Sequence, residues 1–112
     1  MNTEKVLLKN ETCIKQVRYS DITHISICGD CSTFMLNDTS SFSLSKSLNE
    51  ISKKLPDYFI RVNRNYIINS EHIQEFRYKS RKITLEGNIT FTVSHRNLKL
   101  VKDTLSAISF NL

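Results

Sequence analysis

Apolar residues in this chain recur mostly at every second position, in short runs interrupted by Asn, Asp, Gly and Ser, the pattern of half-buried strands joined by turns. Residues 5–9 and 13–18 are two such runs. Asn10-Glu11-Thr12 separates them and predicts a first hairpin, because asparagine tolerates turn backbone angles. Ile22, Ile25 and Ile27 lead into Gly29-Asp30, and residues 33–36 follow, so a second hairpin with its tip within residues 28–32 is expected. Residues 37–41 form the next turn, ahead of a short strand around Phe42.

The periodicity then changes. Leu44, Leu48, Ile51 and Leu55 recur at steps of four, three and four, which predicts an amphipathic helix capped by Ser43 or Ser45 and ended by Pro56. Residues 59–69, F-I-R-V-N-R-N-Y-I-I-N, return to a strand pattern, with Tyr58, Ile60, Val62, Tyr66 and Ile68 on one parity. Arg64 occupies an apolar slot of that parity, so the chain is expected to kink or leave the sheet there and deliver a cation outward. An edge-strand arginine snorkelling to water is the plainer alternative. Residues 73–78 and 82–85 read as strands around a basic turn, residues 79–81, and Glu86-Gly87-Asn88 turns the chain into Ile89, Phe91 and Val93. A last helix is predicted from Ser94, with Leu98, Val101, Leu105 and Ile108 on its stripe and His95 and Arg96 in its first turn. A helix start offers unpaired backbone N–H groups to an anion such as phosphate. The pattern has no internal repeat. It predicts a mainly β fold with one mid-chain and one C-terminal helix.

The chain has 112 residues, which suits one domain with one core. Its 16 Lys and Arg against 11 Asp and Glu give +5, but the charge is unevenly distributed. Residues 1–52 carry five basic and six acidic side chains, residues 53–112 eleven and five. A basic second half points to a polyanionic partner more readily than to a small substrate. No apolar run approaches the roughly 18 residues of a membrane span, and three cysteines, an odd number, suit a reducing compartment, so a cytoplasmic protein without membrane insertion is expected.

Arg61, Arg64, Arg77, Lys79, Arg81, Lys82, Arg96, Lys99 and Lys102, interleaved with Asn63, Asn65 and Tyr66, carry the strongest chemical signal. Arginine can pair two donors with guanine, asparagine suits adenine, and lysine holds phosphate without reading sequence. Cys28-Gly29-Asp30-Cys31 is a single C-x-x-C, short of the four ligands of a structural zinc site. His24, His72 and His95 lack metal-ligand spacing, and no nucleophile elbow, phosphate-binding loop or dinucleotide fingerprint is present. The expectation is a protein that is not an enzyme and needs no metal or cofactor.

Three separated segments together resemble the LytTR family of bacterial DNA-binding domains: the leucine-bearing residues 43–56, residues 58–69, and Thr92-Val93-Ser94-His95-Arg96-Asn97 before the last helix. The resemblance covers residues 6–108. The family's middle motif reads phenylalanine, any residue, arginine, apolar, histidine, arginine, serine, aromatic, two apolars, asparagine; this chain keeps Phe59, Arg61, Arg64, Tyr66 and Asn69 and departs at Asn63 and Asn65.

The resemblance implies an elongated fold of antiparallel sheets with short helices that grips double-stranded DNA through loops. It also implies loops in successive major grooves, a bent duplex, direct-repeat promoter sites and a homodimer on DNA. Arg64 matches a motif position that approaches DNA and Arg96 the basic residue that reads the groove. The third family contact falls on the hairpin tip, here Asp30, Cys31 and Ser32. The candidate DNA-contacting set is therefore Arg61, Asn63, Arg64, Asn65, Arg96, Asn97 and Lys99, with Cys31 and Ser32 at the tip. Many members are response regulators of two-component systems with a receiver domain ahead of this one. The length leaves no room for it, so an excised domain and a single-domain regulator governed by a partner protein both stay open. A module on the same fold that binds an acidic protein is the rival reading.

Overall fold

A computed structural model describes residues 4–107. Ten strands and two α-helices form an elongated body of 44 × 30 × 25 Å. Strands β1 (Lys5–Lys9) and β2 (Ile14–Arg18) make the first hairpin, and Asn10 closes its turn by accepting the N–H groups of Thr12 and Cys13 on its side-chain oxygen. Strands β3 (Ile22–Cys28), β4 (Cys31–Leu36), β5 (Ser41–Leu44), β6 (Phe59–Asn63) and β7 (Tyr66–Asn69) form an antiparallel sheet in the order β5-β4-β3-β7-β6. A third sheet holds β8 (Ile73–Arg77), β9 (Lys82–Leu85) and β10 (Ile89–Thr92), in the order β10-β9-β8. The expected hairpins and turns are therefore present.

The five-stranded sheet carries a hydrophobic cluster on each face, the second over β6 and β7, with the outer face of β5 exposed. Ile25, Phe34, Phe59 and Ile67 face one cluster, closed by the β1–β2 hairpin and by α1 (Leu48–Ser52). Ile60, Val62 and Ile68 face a second cluster, closed by the three-stranded sheet and α2 (Leu98–Ala107). The alternating pattern predicts burial of one parity within residues 58–68, but the other parity is buried as well, through Phe59 and Ile67.

The mid-chain helix departs from expectation. Leu44 lies in β5 opposite Ser32, and α1 begins only at Leu48, so neither Ser43 nor Ser45 caps it. Ser47 is the cap: its hydroxyl accepts the Glu50 N–H at 3.1 Å, and the Glu50 carboxylate accepts the Ser47 N–H at 3.1 Å. Ser41, Phe42, Ser43 and Leu44 alternate outward and inward, so two-residue periodicity governs Leu44 and the helix keeps only Leu48 and Ile51. Pro56 lies beyond its end, and Leu55 packs from outside the helix. At the C-terminal end Ser94 caps a 3-10 turn, His95–Asn97, that runs into α2. Ile108, expected on the α2 stripe, lies outside the described residues.

Candidate nucleic-acid interface

Antiparallel register decides which turns share an end of the molecule. Ile27 donates its N–H to the Asn65 carbonyl (3.0 Å), Ser94 to the Val62 carbonyl (2.9 Å) and Val93 to the Arg81 carbonyl (2.8 Å). These bonds gather turns 29–30, 64–65 and 78–81 and the segment 93–97 at one end. Those turns hold Arg64, Lys79, Arg81 and Arg96 and one carboxylate, Asp30. The turns at the opposite end, Tyr19–Asp21, 37–40, Ser70–His72 and 86–88, hold four carboxylates, Asp21, Asp38, Glu71 and Glu86, and no lysine or arginine.

Residues 59–69 fold as a hairpin, β6 and β7 around the two-residue turn Arg64-Asn65. The parity break at Arg64 is thus the point where the chain leaves the sheet, and both turn residues are exposed. Asn63 shapes the turn: its side-chain oxygen accepts the Asn65 N–H (2.8 Å) and its Nδ2 donates to the Thr92 carbonyl (2.8 Å). Arg61 lies beneath, with Nε donating to the Asn63 carbonyl (2.9 Å), Nη2 to the Arg64 carbonyl (2.8 Å) and Nη1 to Asn49 Oδ1 (2.9 Å). Partial burial lowers the Arg61 pKa, which leaves a guanidinium charged. Asn97 Nδ2 donates to the Arg61 carbonyl at 2.8 Å, tying the segment before α2 to β6. An open cleft of about 530 Å³ lies between the two turns, with Asn49, Arg61 and Asn63 among its lining and Arg64 and Arg96 on it.

The predicted residues therefore divide. Among the described residues, no hydrogen bond or ion pair engages the side chains of Arg64, Asn65, His95 or Arg96, and all four are exposed. Arg61, Asn63 and Asn97 are brought to the same place with their side chains already engaged. Lys99 is exposed beyond them and pairs with Asp103 at 2.7 Å, which raises its pKa. Arg77 is bidentate to Glu75, Lys82 Nζ donates to Thr92 Oγ1 (2.6 Å), and Lys102 sits 4.5 Å from the centre of the Tyr78 ring. His95 and Asn49 were not among the predicted contacts. His95 had a sequence signal, its place beside Arg96 in the first turn, whereas Asn49 had none.

The hairpin tip requires a correction. Ser32, expected to contact DNA, has no exposed surface, and its hydroxyl donates to the Lys46 carbonyl at 2.6 Å. It faces inward because register places it opposite Leu44 on the buried face. Cys31 is half-buried and Cys28, its cross-strand partner, exposed; with the exposed Cys13 they are free thiols. Cys31 also lines a larger hollow of about 670 Å³ beside Asn10-Glu11-Thr12, with Glu11, Lys9 and Lys46 among its lining. Among the described residues no group of three or more His, Cys, Asp or Glu side chains is placed to hold a metal, and no helix is long and apolar enough to cross a membrane.

Comparison with known proteins agrees with this layout. No curated protein matches the chain. Among solved structures, the LytTr DNA-binding domain of a Bacillus cereus protein described as a methyl-accepting/DNA response regulator superposes with a TM-score of 0.77 at 21% identity, over 90% of this chain and 95% of that one. At that identity the likeness speaks for the fold. The family model of the LytTr DNA-binding domain matches residues 12–106, spanning all three sheets except β1, so the chain belongs to the LytTR family of DNA-binding domains.

Proposed function

We propose that the basic end binds double-stranded DNA sequence-specifically, with Arg64 and Arg96 as the principal readers and Asn65 and His95 beside them. The observation that carries this reading is the set of unengaged donors on two adjacent turns. A buried or paired arginine must break existing bonds to meet a base, whereas Arg64 and Arg96 exchange only water. Two protruding turns suit entry into grooves, where arginine can pair with guanine O6 and N7. The opposite charges of the two ends orient the protein as it approaches a polyanion. Lys79 and Lys99 flank the readers as phosphate contacts. Asn63, Asn97 and Ser32 are left out of the contact set because their polar groups are already engaged.

Within a transcriptional regulator, this end inserts its turns into successive major grooves of direct repeats, one copy of the protein per repeat, and bends the duplex between them. Control comes from an upstream receiver domain or a separate partner protein. The test is selection from a pool of randomised duplexes followed by fluorescence anisotropy across salt. Wild-type protein should enrich a repeated motif and lose affinity steeply with salt. Arg64→Ala and Arg96→Ala should each lose about 1–3 kcal/mol on that motif with thermal stability unchanged. A folded protein that binds no duplex at low salt would overturn the reading and leave an acidic protein as the partner to seek.

A further inference from the structure

The best-connected polar side chain at the basic end is one of those predicted to touch DNA. Arg61 commits three separate donors: Nε to the Asn63 carbonyl, Nη2 to the Arg64 carbonyl and Nη1 to Asn49 Oδ1. The first two acceptors are consecutive carbonyls at the entry to the 64–65 turn. A planar fork meets such a pair with two donors at a fixed spacing, which a lysine ammonium does not do with the same geometry. The Arg61 carbonyl in turn accepts Asn97 Nδ2 (2.8 Å), so the same residue is held from the segment that carries Arg96. Two further bonds cross between these segments, Ser94 N–H to the Val62 carbonyl and Asn63 Nδ2 to the Thr92 carbonyl. The guanidinium thereby ties the 64–65 turn to the start of α1, while the Arg61 main-chain carbonyl ties the same strand to the segment that carries Arg96.

We infer that Arg61 is a positioning residue: its guanidinium holds the Arg64 turn in shape against the start of α1, on a strand whose main chain is bonded to the segment of Arg96, without contacting DNA itself. The inference rests on the proposed reading of DNA by Arg64 and Arg96 and identifies what holds the Arg64 turn ready for it. A two-residue turn with free carbonyls would sample other conformers, and ordering it on binding would reduce affinity. Held in advance, the two guanidinium groups meet only those duplexes whose base edges have the matching spacing. Loss of Arg61 therefore costs discrimination rather than general attraction to the polyanion.

Salt dependence separates this role from a phosphate contact. Arg61→Ala should lower affinity for the selected duplex about tenfold, an effect on the scale of one lost base contact. Affinity for random duplex and its salt slope should remain those of the wild type. Lys79→Ala, by contrast, should reduce the slope by about one unit, as expected when one phosphate-neutralising cation is removed. A slope reduction of the same size in Arg61→Ala would make Arg61 a contact and overturn the inference. Arg61→Lys serves as the second variant should the alanine protein fail to fold. It keeps the charge but not the fork, so it should lose discrimination, and wild-type discrimination in Arg61→Lys would overturn the inference.

Amide hydrogen exchange of free protein supplies a readout that needs no DNA. Exchange at Asn65, whose N–H is bonded to Asn63 Oδ1, should accelerate in Arg61→Lys while amides of the three-stranded sheet stay unchanged. Unaltered exchange at Asn65 would overturn the inference. Absence of any duplex selection by the wild type would instead overturn the DNA reading, with the exchange result still deciding what Arg61 does.

Discussion

The two ends of the five-stranded sheet are built alike, from short turns between antiparallel strands, yet they employ polar side chains in opposite ways. At the acidic end the polar groups are engaged within the turns and between them. Asp38 accepts the Ser40 N–H and hydroxyl, Asp21 accepts the Arg18 N–H, and His72 bridges Glu86 Oε1 (2.8 Å) and the Ser20 carbonyl (2.7 Å). At the basic end two layers are present: an inner one of Arg61, Asn63 and Asn97, engaged in the same manner, and an outer one of Arg64, Asn65, His95 and Arg96, whose side chains make no such bonds. Composition alone does not distinguish the layers, since each contains arginine and asparagine. Hydrogen-bond occupancy does, because a donor already satisfied within the protein gains little by exchanging its partner for a base.

The comparison can be broken most forcefully at the acidic end. Asn69 is wholly buried there, donating through Nδ2 to the Tyr19 carbonyl (3.1 Å) and the Ile22 carbonyl (2.9 Å) and accepting the Glu71 N–H (3.0 Å). Asn69→Ala removes the partner of three backbone groups, one of them buried, and should cost about 2–4 kcal/mol in urea unfolding. Duplex affinity, measured where the variant is folded, should not change. A folded variant that loses affinity would show that the two ends are not independent.

A gentler probe lies between the sheets. His24 is buried against Phe91 and Tyr66, with ring centroids 4.9 and 6.4 Å away, and burial lowers its pKa below 6.5. Between that lowered value and 6.5 the unfolded chain takes up a proton that the folded chain refuses. Stability is therefore fully present above pH 6.5 and declines as pH falls through that window. His24→Leu should flatten this part of the stability–pH curve in denaturant titrations, with duplex selectivity preserved. A curve as steep as the wild type's would place the titrating group elsewhere.

The smallest effect is expected at Lys99, exposed and paired with Asp103. Lys99→Ala should weaken selected and random duplexes alike by a few-fold, because a phosphate contact carries no sequence information. Anisotropy on both duplexes measures this directly. A loss confined to the selected duplex would move Lys99 from the phosphate contacts to the readers.

Much of this architecture was legible in the residues. Period-two runs marked the hairpins, and the basic turn near Arg81 lies where its neighbours predicted it. Arg64 was readable as an outward cation because it violated the parity around it. The start of α1 was also legible, in Ser47-Leu48-Asn49-Glu50, a capping box hidden by the helical spacing that Leu44 shares by coincidence. Burial of β6 and β7 on both faces was not legible, since Phe59 and Ile67 interrupt a pattern that otherwise reads as one-sided. Neither was the burial of Ser32, a small polar residue whose orientation follows from its pairing with Leu44.

The sequence by itself determined the strands, the turns, the basic second half and the family, because alternation, turn chemistry and motif spacing are relations between residues close along the chain. Only the tertiary structure decided which polar residues remain available. The bonds that engage Arg61, Asn63 and Asn97 include Arg61 to Asn49, Asn63 to Thr92 and Asn97 to Arg61, partners 12, 29 and 36 residues apart. No local pattern encodes such pairings. They arise when two hydrophobic clusters close on opposite faces of one sheet and bring three distant turns to the same end.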